Sequence, residues 1–155
     1  HKMIDNYNKR GGNKINKKLN TVVTKINLYD NMNDFVSECN VNRWKILQVL
    51  PIKGENDKNI KDILISETEF DEYVNRHKII HGNIIVPENN RIMEDSYLMI
   101  DPSGNLYQNS NQEYKSCANL INNNLNDALQ KINFDYNKFI ERKGIYTENL
   151  LKGQQ

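Results

Sequence analysis

A chain of 155 residues with 37% apolar and 26% charged side chains can build one core, or part of a larger one. Its net charge of +1 argues against a dedicated nucleic-acid binder, which would be clearly basic. No apolar run approaches the ~18 residues of a membrane span, and nothing resembles a signal peptide.

Residues 1–17 are polar and basic with a break at Gly11-Gly12, and predict a frayed helix followed by a loop. The basic stretch from Lys9-Arg10 to Lys17-Lys18 fits a solvated surface better than an RNA contact, given the balanced charge. The first residue is His1 rather than Met, so it is not expected to be a natural start. Lys18–Val23 ends in β-branched residues and reads as a short strand. Over Asn31–Asn40, Met32, Phe35, Val36 and Cys39 fall at helical spacing. Arg43–Ile52 is a second strand, apolar on both parities as in a parallel sheet buried on both faces.

Ser66 with Glu69 forms a capping box, and Ile65 with Phe70 fits the hydrophobic staple around it, so a helix runs through Tyr73, Val74 and His77 to about Lys78. Tyr97–Ile100 and Leu106–Gln108 flank Asp101-Pro102-Ser103-Gly104, a turn suited to a hairpin. Ile121, Leu125, Ala128, Leu129 and Ile132 form a helical stripe, and a last helix covers Tyr136–Arg142. The run Asn122-Asn123-Asn124 reads as compositional bias. Cys39 and Cys117, far apart, read as two packed thiols in a reduced, intracellular, cytoplasmic setting.

Alternation along the second strand points Arg43 and Lys45 one way and Trp44 the other. Two cations on one face of a largely buried strand are costly unless an anion meets them. Lys18 opens the neighbouring strand and can stand beside them. Three such cations suit a phosphate-rich ligand, Arg by forked contacts and Lys as a point charge. The ordinary alternative is solvation at the strand ends or pairing with Glu55. His77 and His81 read as helix-end residues, since their spacing to two remote cysteines is not that of a zinc site. Tyr97 reads first as packing and second as a base-stacking ring. No Gly-rich phosphate loop, Ser/His/Asp order or metalloprotease motif is present.

Several stretches in order are similar to a known family. Lys18-Leu19-Asn20-Thr21-Val22-Val23, Arg43-Trp44-Lys45-Ile46-Leu47-Gln48-Val49-Leu50 and Gly54-Glu55-Asn56 resemble the later half of viperins. So do Glu69-Phe70, Arg76-His77-Lys78, Val86-Pro87-Glu88-Asn89-Asn90, Asp95-Ser96-Tyr97-Leu98 and Phe139-Ile140-Glu141-Arg142. The resemblance implies a lyase-type radical S-adenosylmethionine enzyme of antiviral innate immunity. Such an enzyme converts a ribonucleoside triphosphate, CTP or a relative, to its 3′-deoxy-3′,4′-didehydro analogue.

It implies an α/β fold: the C-terminal portion of an incomplete TIM-type radical S-adenosylmethionine barrel plus a C-terminal α+β cap. Residues 1–52 would be the last βα units, and 53–155 the substrate-capping region. It implies that Lys18, Arg43, Lys45 and Arg142 contact the triphosphate, that Asn20 lies near the ribose or S-adenosylmethionine, and that Tyr97 stacks near the base. Gly54-Glu55-Asn56 would be the turn leaving a barrel strand.

The implied cofactors are S-adenosylmethionine and a 4Fe-4S cluster. The implied partners are the N-terminal half of the barrel and an external electron donor, and membrane attachment through an N-terminal segment is left open. The family's CxxxCxxC is not in this sequence, so the segment alone is expected to be inactive. It ends in Lys152-Gly153-Gln154-Gln155, where animal viperins carry an aromatic residue used by iron–sulfur delivery proteins. Two other readings stand beside this one: a free-standing nucleotide-binding module, and a degenerate interaction domain that binds no nucleotide.

Overall fold

The computed structural model describes residues 1–11 and 14–145, so Gly12 and the terminal Lys152–Gln155 singled out above lie outside the described residues. The chain is mixed α/β and divides into two compact units, His1–Val49 with Asp62–Glu88, and Leu50–Lys61 with Asn89–Gln155.

The first unit holds α1 (Lys2–Lys9), β1 (Lys18–Val23), α2 (Asn33–Cys39) and β2 (Arg43–Gln48). After α3 (Ile60–Ile63), it continues with α4 (Glu67–His81) and β3 (Ile85–Glu88). Its three strands form a parallel sheet in the order β1-β2-β3. Lys17 fastens α1 to this unit, its Nζ donating to Asp5 Oδ1 at 2.6 Å and to the Cys39 carbonyl at 2.5 Å. The α2 helix stops at Asn40, whose left-handed backbone (φ 47°) lets its N–H reach the carbonyls of Val36 and Ser37. Ser66 and Glu69 form the expected reciprocal cap on α4, while Ile65 and Phe70 are both buried beside it.

Two differences from the sequence reading have clear causes. The strand expected to reach Ile52 ends at Gln48. Pro51 has no N–H to offer a ladder, and the Asn56 side chain takes over, donating to the Leu50 carbonyl and accepting from the Ile52 N–H. Gly54-Glu55-Asn56 is thus a turn, with Gly54 at φ +85°. The second difference is β3, absent from the sequence reading because Pro87 sits inside it. A proline is tolerated here because β3 is an outer strand of its sheet.

The second unit contains α5 (Asn90–Met93), β4 (Met99–Ile100), β5 (Asn105–Ser110), β6 (Glu113–Asn119), α6 (Leu125–Gln130) and α7 (Tyr136–Glu141). Its sheet is antiparallel in the order β4-β5-β6. The expected β4–β5 hairpin forms around Asp101, whose Oδ1 accepts from the Ser103 and Asn105 N–H groups. The core is Leu106, Ala128 and Ile132, with Cys117, Ala118, Leu120, Leu129 and Phe134 packed against it. Ile121 is not on the helical stripe: it is exposed, because the Asn124 side chain accepts from the Asp127 N–H and starts α6 at Leu125. Asn89 and Asp135 cap α5 and α7 in the same way.

The β5–β6 turn places Asn111 and Gln112 at φ 51° and 59°, the signature of a two-residue hairpin loop with both residues left-handed. Glycine is the favoured second residue of such a loop. Gln112→Gly is therefore expected to raise stability by about 0.5–1 kcal/mol, read as a higher urea midpoint. A lower midpoint would contradict this account of the turn.

Candidate functional site

The parallel register sets Lys18 opposite Arg43 and Asn20 opposite Lys45. Register partners share a face, as do residues two apart on a strand, so these four side chains lie on one face of the sheet. On β3, Val86 is the partner of Lys45, and Glu88 follows two residues later on the same face. Lys18 and Asn20 are exposed, Arg43 is half-buried and Lys45 is buried.

The opposite face faces the helices. Trp44 is fully buried, its Nε1–H donating to Thr21 Oγ1 at 2.9 Å and its ring meeting the His77 ring edge-on at 5.2 Å. Further along, Gln48 Nε2 donates to the Ile65 carbonyl at 3.1 Å. The helices α2 and α4 both contribute to this packing: His77 of α4 accepts a hydrogen bond from the Met32 N–H at the start of α2. Apolar packing thus fixes the rotation of β2, and that rotation turns Arg43 and Lys45 away from the helices.

Lys45 Nζ forms an ion pair with Glu88 Oε1, both side chains being buried. The sequence reading offered Glu55 as the ordinary partner. Glu88 takes that role because it lies diagonally across from Lys45 on the adjacent strand, a relation that only the β2–β3 register reveals. No sequence signal marked Glu88 beyond its place in the Val86–Asn90 stretch.

The histidines serve the scaffold. His77 Nε2 accepts from the Met32 N–H at 3.0 Å, so Nδ1 carries the proton and donates to the Tyr73 carbonyl at 2.8 Å. Burial holds the His77 pKa below its ordinary value. His81 Nε2 lies 3.2 Å from the Asn33 carbonyl. Among the described residues no group of three or more His, Cys, Asp or Glu is placed to hold a metal ion. A cluster with one open iron needs three converging thiolates. This sequence has two cysteines, Cys39 in the first unit and Cys117 in the second, and so does not supply them. Among the described residues no helix is long and apolar enough to cross a membrane.

In the second unit, Tyr97 and Arg142 come together. The Arg142 guanidinium stacks 3.7 Å from the centroid of the Tyr97 ring, and its Nε and Nη2 donate to the Ser96 carbonyl at 3.2 and 2.7 Å. Ser96 is itself held, its hydroxyl donating to the Ile92 carbonyl at 2.6 Å. Arg142 is buried by this arrangement, at the C-terminal cap of α7.

No family model matches the chain. Individual proteins do. It is 44% identical over 129 residues to an S-adenosylmethionine-dependent nucleotide dehydratase of Flammeovirga pacifica, covering 83% of this chain and 44% of that protein. A protein of the same description from Lacinutrix mariniflava is 38% identical over 137 residues, 88% of this chain and 28% of that one. One from Oncorhynchus mykiss is 30% identical over 138 residues, 86% of this chain and 39% of that one. The chain therefore spans less than half the length of these relatives.

Proposed function

Over the stretch it shares with these relatives the chain belongs to the viperin family, and we propose that it is the triphosphate-binding part of a radical S-adenosylmethionine nucleotide dehydratase. The substrate class is a ribonucleoside triphosphate, CTP or a relative, converted to its 3′-deoxy-3′,4′-didehydro form in antiviral defence. In this reading residues 1–52 are the last βα units of an incomplete barrel, and residues 53–155 cap the substrate. The 4Fe-4S cluster, its CxxxCxxC ligands and the electron donor are contributed from outside this sequence. S-adenosylmethionine supplies the radical when bound.

One observation carries the proposal: Lys18 and Arg43 stand side by side in register, with Asn20 and Lys45 as the next pair on the same face. Like charges in adjacent register positions repel each other. A polyphosphate lying along the strands would turn that repulsion into attraction, with Arg43 giving a planar fork and Lys18 a mobile point charge. Asn20 is proposed to lie near the ribose or S-adenosylmethionine, Tyr97 near the base, and Arg142 at a further phosphate. The buried Lys45–Glu88 pair favours a second reading, in which this face is structural and binds no nucleotide.

Titration with inorganic tripolyphosphate separates the two, because that ligand carries the three linked phosphates of the substrate and no base or sugar. Binding is expected, with Lys18→Ala and Arg43→Ala each weakening it about tenfold and added salt weakening it further. Absence of binding, or binding that both variants leave unchanged, would establish the structural reading.

A further inference from the structure

Lys18 and Arg43 stand at the first rung of the β1–β2 ladder, where both strands begin. A ladder opens first at its ends, and β1 is an outer strand of its sheet. Two like charges on one face of that rung work against it. The residues just before them are nevertheless tied in both directions. Asn42 Oδ1 accepts from the Lys17 N–H at 2.9 Å. In return the Lys17 carbonyl accepts from the Asn42 N–H at 2.8 Å and from the Arg43 N–H at 3.3 Å.

The Asn42 side chain thus does at the strand start what a main-chain carbonyl does inside a ladder, adding a rung ahead of the first. Lys17 anchors the other half of this clamp. Alternation turns its side chain away from that of Lys18, and its buried Nζ donates to Asp5 Oδ1 and to the Cys39 carbonyl. Both strands, α1 and the end of α2 therefore meet at the residues adjoining the two cations. A clamp at this place fixes the spacing of Lys18 and Arg43 before an anion arrives, so a ligand bridging them need not order the strand start itself. We propose that Asn42 is a positioning residue of the anion site, holding Lys18 and Arg43 at the separation that one phosphate chain bridges.

This role rests on the polyphosphate reading above, and the two fail in different ways. The full chain and its Asn42→Ala variant are each titrated with inorganic tripolyphosphate, alone and combined with Lys18→Ala, with Arg43→Ala and with both. Asn42 is exposed, so alanine there opens no cavity. Asn42→Ala is expected to weaken tripolyphosphate binding about fivefold, the factor that one net hydrogen bond is worth. With Asn42 in place, the Lys18→Ala, Arg43→Ala double variant is expected to bind better than the product of the two single losses implies, because both cations share one ligand. In the Asn42→Ala background that difference is expected to vanish. A merely structural Asn42 would leave it intact and lower only the urea midpoint.

Asn42→Ser, which keeps an acceptor oxygen at the strand start, is expected to recover part of the loss. Should Asn42→Ala fold poorly, hydrogen exchange of the wild type decides the matter. The Lys17 N–H is expected to be protected without ligand, and fast exchange there overturns the proposal. Failure of the wild type to bind tripolyphosphate overturns the polyphosphate reading and this role together. If the wild type binds, an Asn42→Ala variant that leaves either the affinity or the coupling between the two cations unchanged overturns this role alone.

Discussion

Lys45→Ala is expected to lower the stability of the chain by about 3–5 kcal/mol, and Glu88→Ala by a similar amount, because each leaves one buried charge without its counter-charge. The Lys45 side chain is 7% exposed and that of Glu88 is 0%, so water cannot substitute for the missing partner. The double variant Lys45→Met with Glu88→Leu removes both charges and keeps apolar volume between the strands. It is expected to recover most of the loss, since the desolvation of two ions cancels much of their attraction. Urea unfolding of the wild type, Lys45→Met, Glu88→Leu and their double variant closes a cycle whose coupling energy isolates the pair. Single variants costing under about 1 kcal/mol would mean that the pair behaves as a solvated one. The cycle also bears on function. A Lys45 variant that unfolds loses ligand binding for a reason unrelated to contact, which is why Lys18 and Arg43, less buried, are the informative positions for tripolyphosphate.

What the sequence made legible follows from the range of each signal. Ser66 and Glu69 are three residues apart, and their reciprocal cap is complete within one helical turn, so α4 could be read directly. The strand β2 was recognisable from its apolar run, and the opposed directions of Trp44 and its flanking cations from alternation alone. Signals that need a partner were lost. Glu88 has meaning only through a β-strand pairing with residues some forty positions earlier, and β3 was hidden by Pro87. The strand β6 was missed because its turn uses Asn111-Gln112 rather than the expected Asn-Gly. Asparagine was misread altogether. Asn40, Asn56, Asn89 and Asn124 act as caps or turn locks, local chemistry that a run such as Asn122–Asn124 disguises as bias. For the candidate site, the identity of the cations was readable and their mutual register was not, since register is a property of two strands at once.

The second large effect concerns His77, which joins α4 to the start of α2 and backs the Trp44 ring. Its neutral form satisfies both ring nitrogens, Nδ1–H donating to Tyr73 and Nε2 accepting from Met32. Adding a proton would turn Nε2 into a donor facing the Met32 N–H. Burial lowers its pKa from the ordinary 6.5, Arg76 and His81 push the same way, and the Tyr73 carbonyl opposes them. In the unfolded chain His77 takes up its proton near pH 6.5, while the folded chain does so only at lower pH. Its contribution to stability is therefore complete above about pH 6.5. It declines as pH falls through the window between the two values, by at most about 1.4 kcal/mol per pH unit. His77→Ala at pH 7.5 is expected to cost about 2–4 kcal/mol, from the stranded Met32 N–H and the space opened beside Trp44. It should also flatten the decline below pH 6.5. Urea midpoints from pH 7.5 to 5.5 test both statements, and parallel pH profiles for wild type and variant would show that another group drives the acid loss.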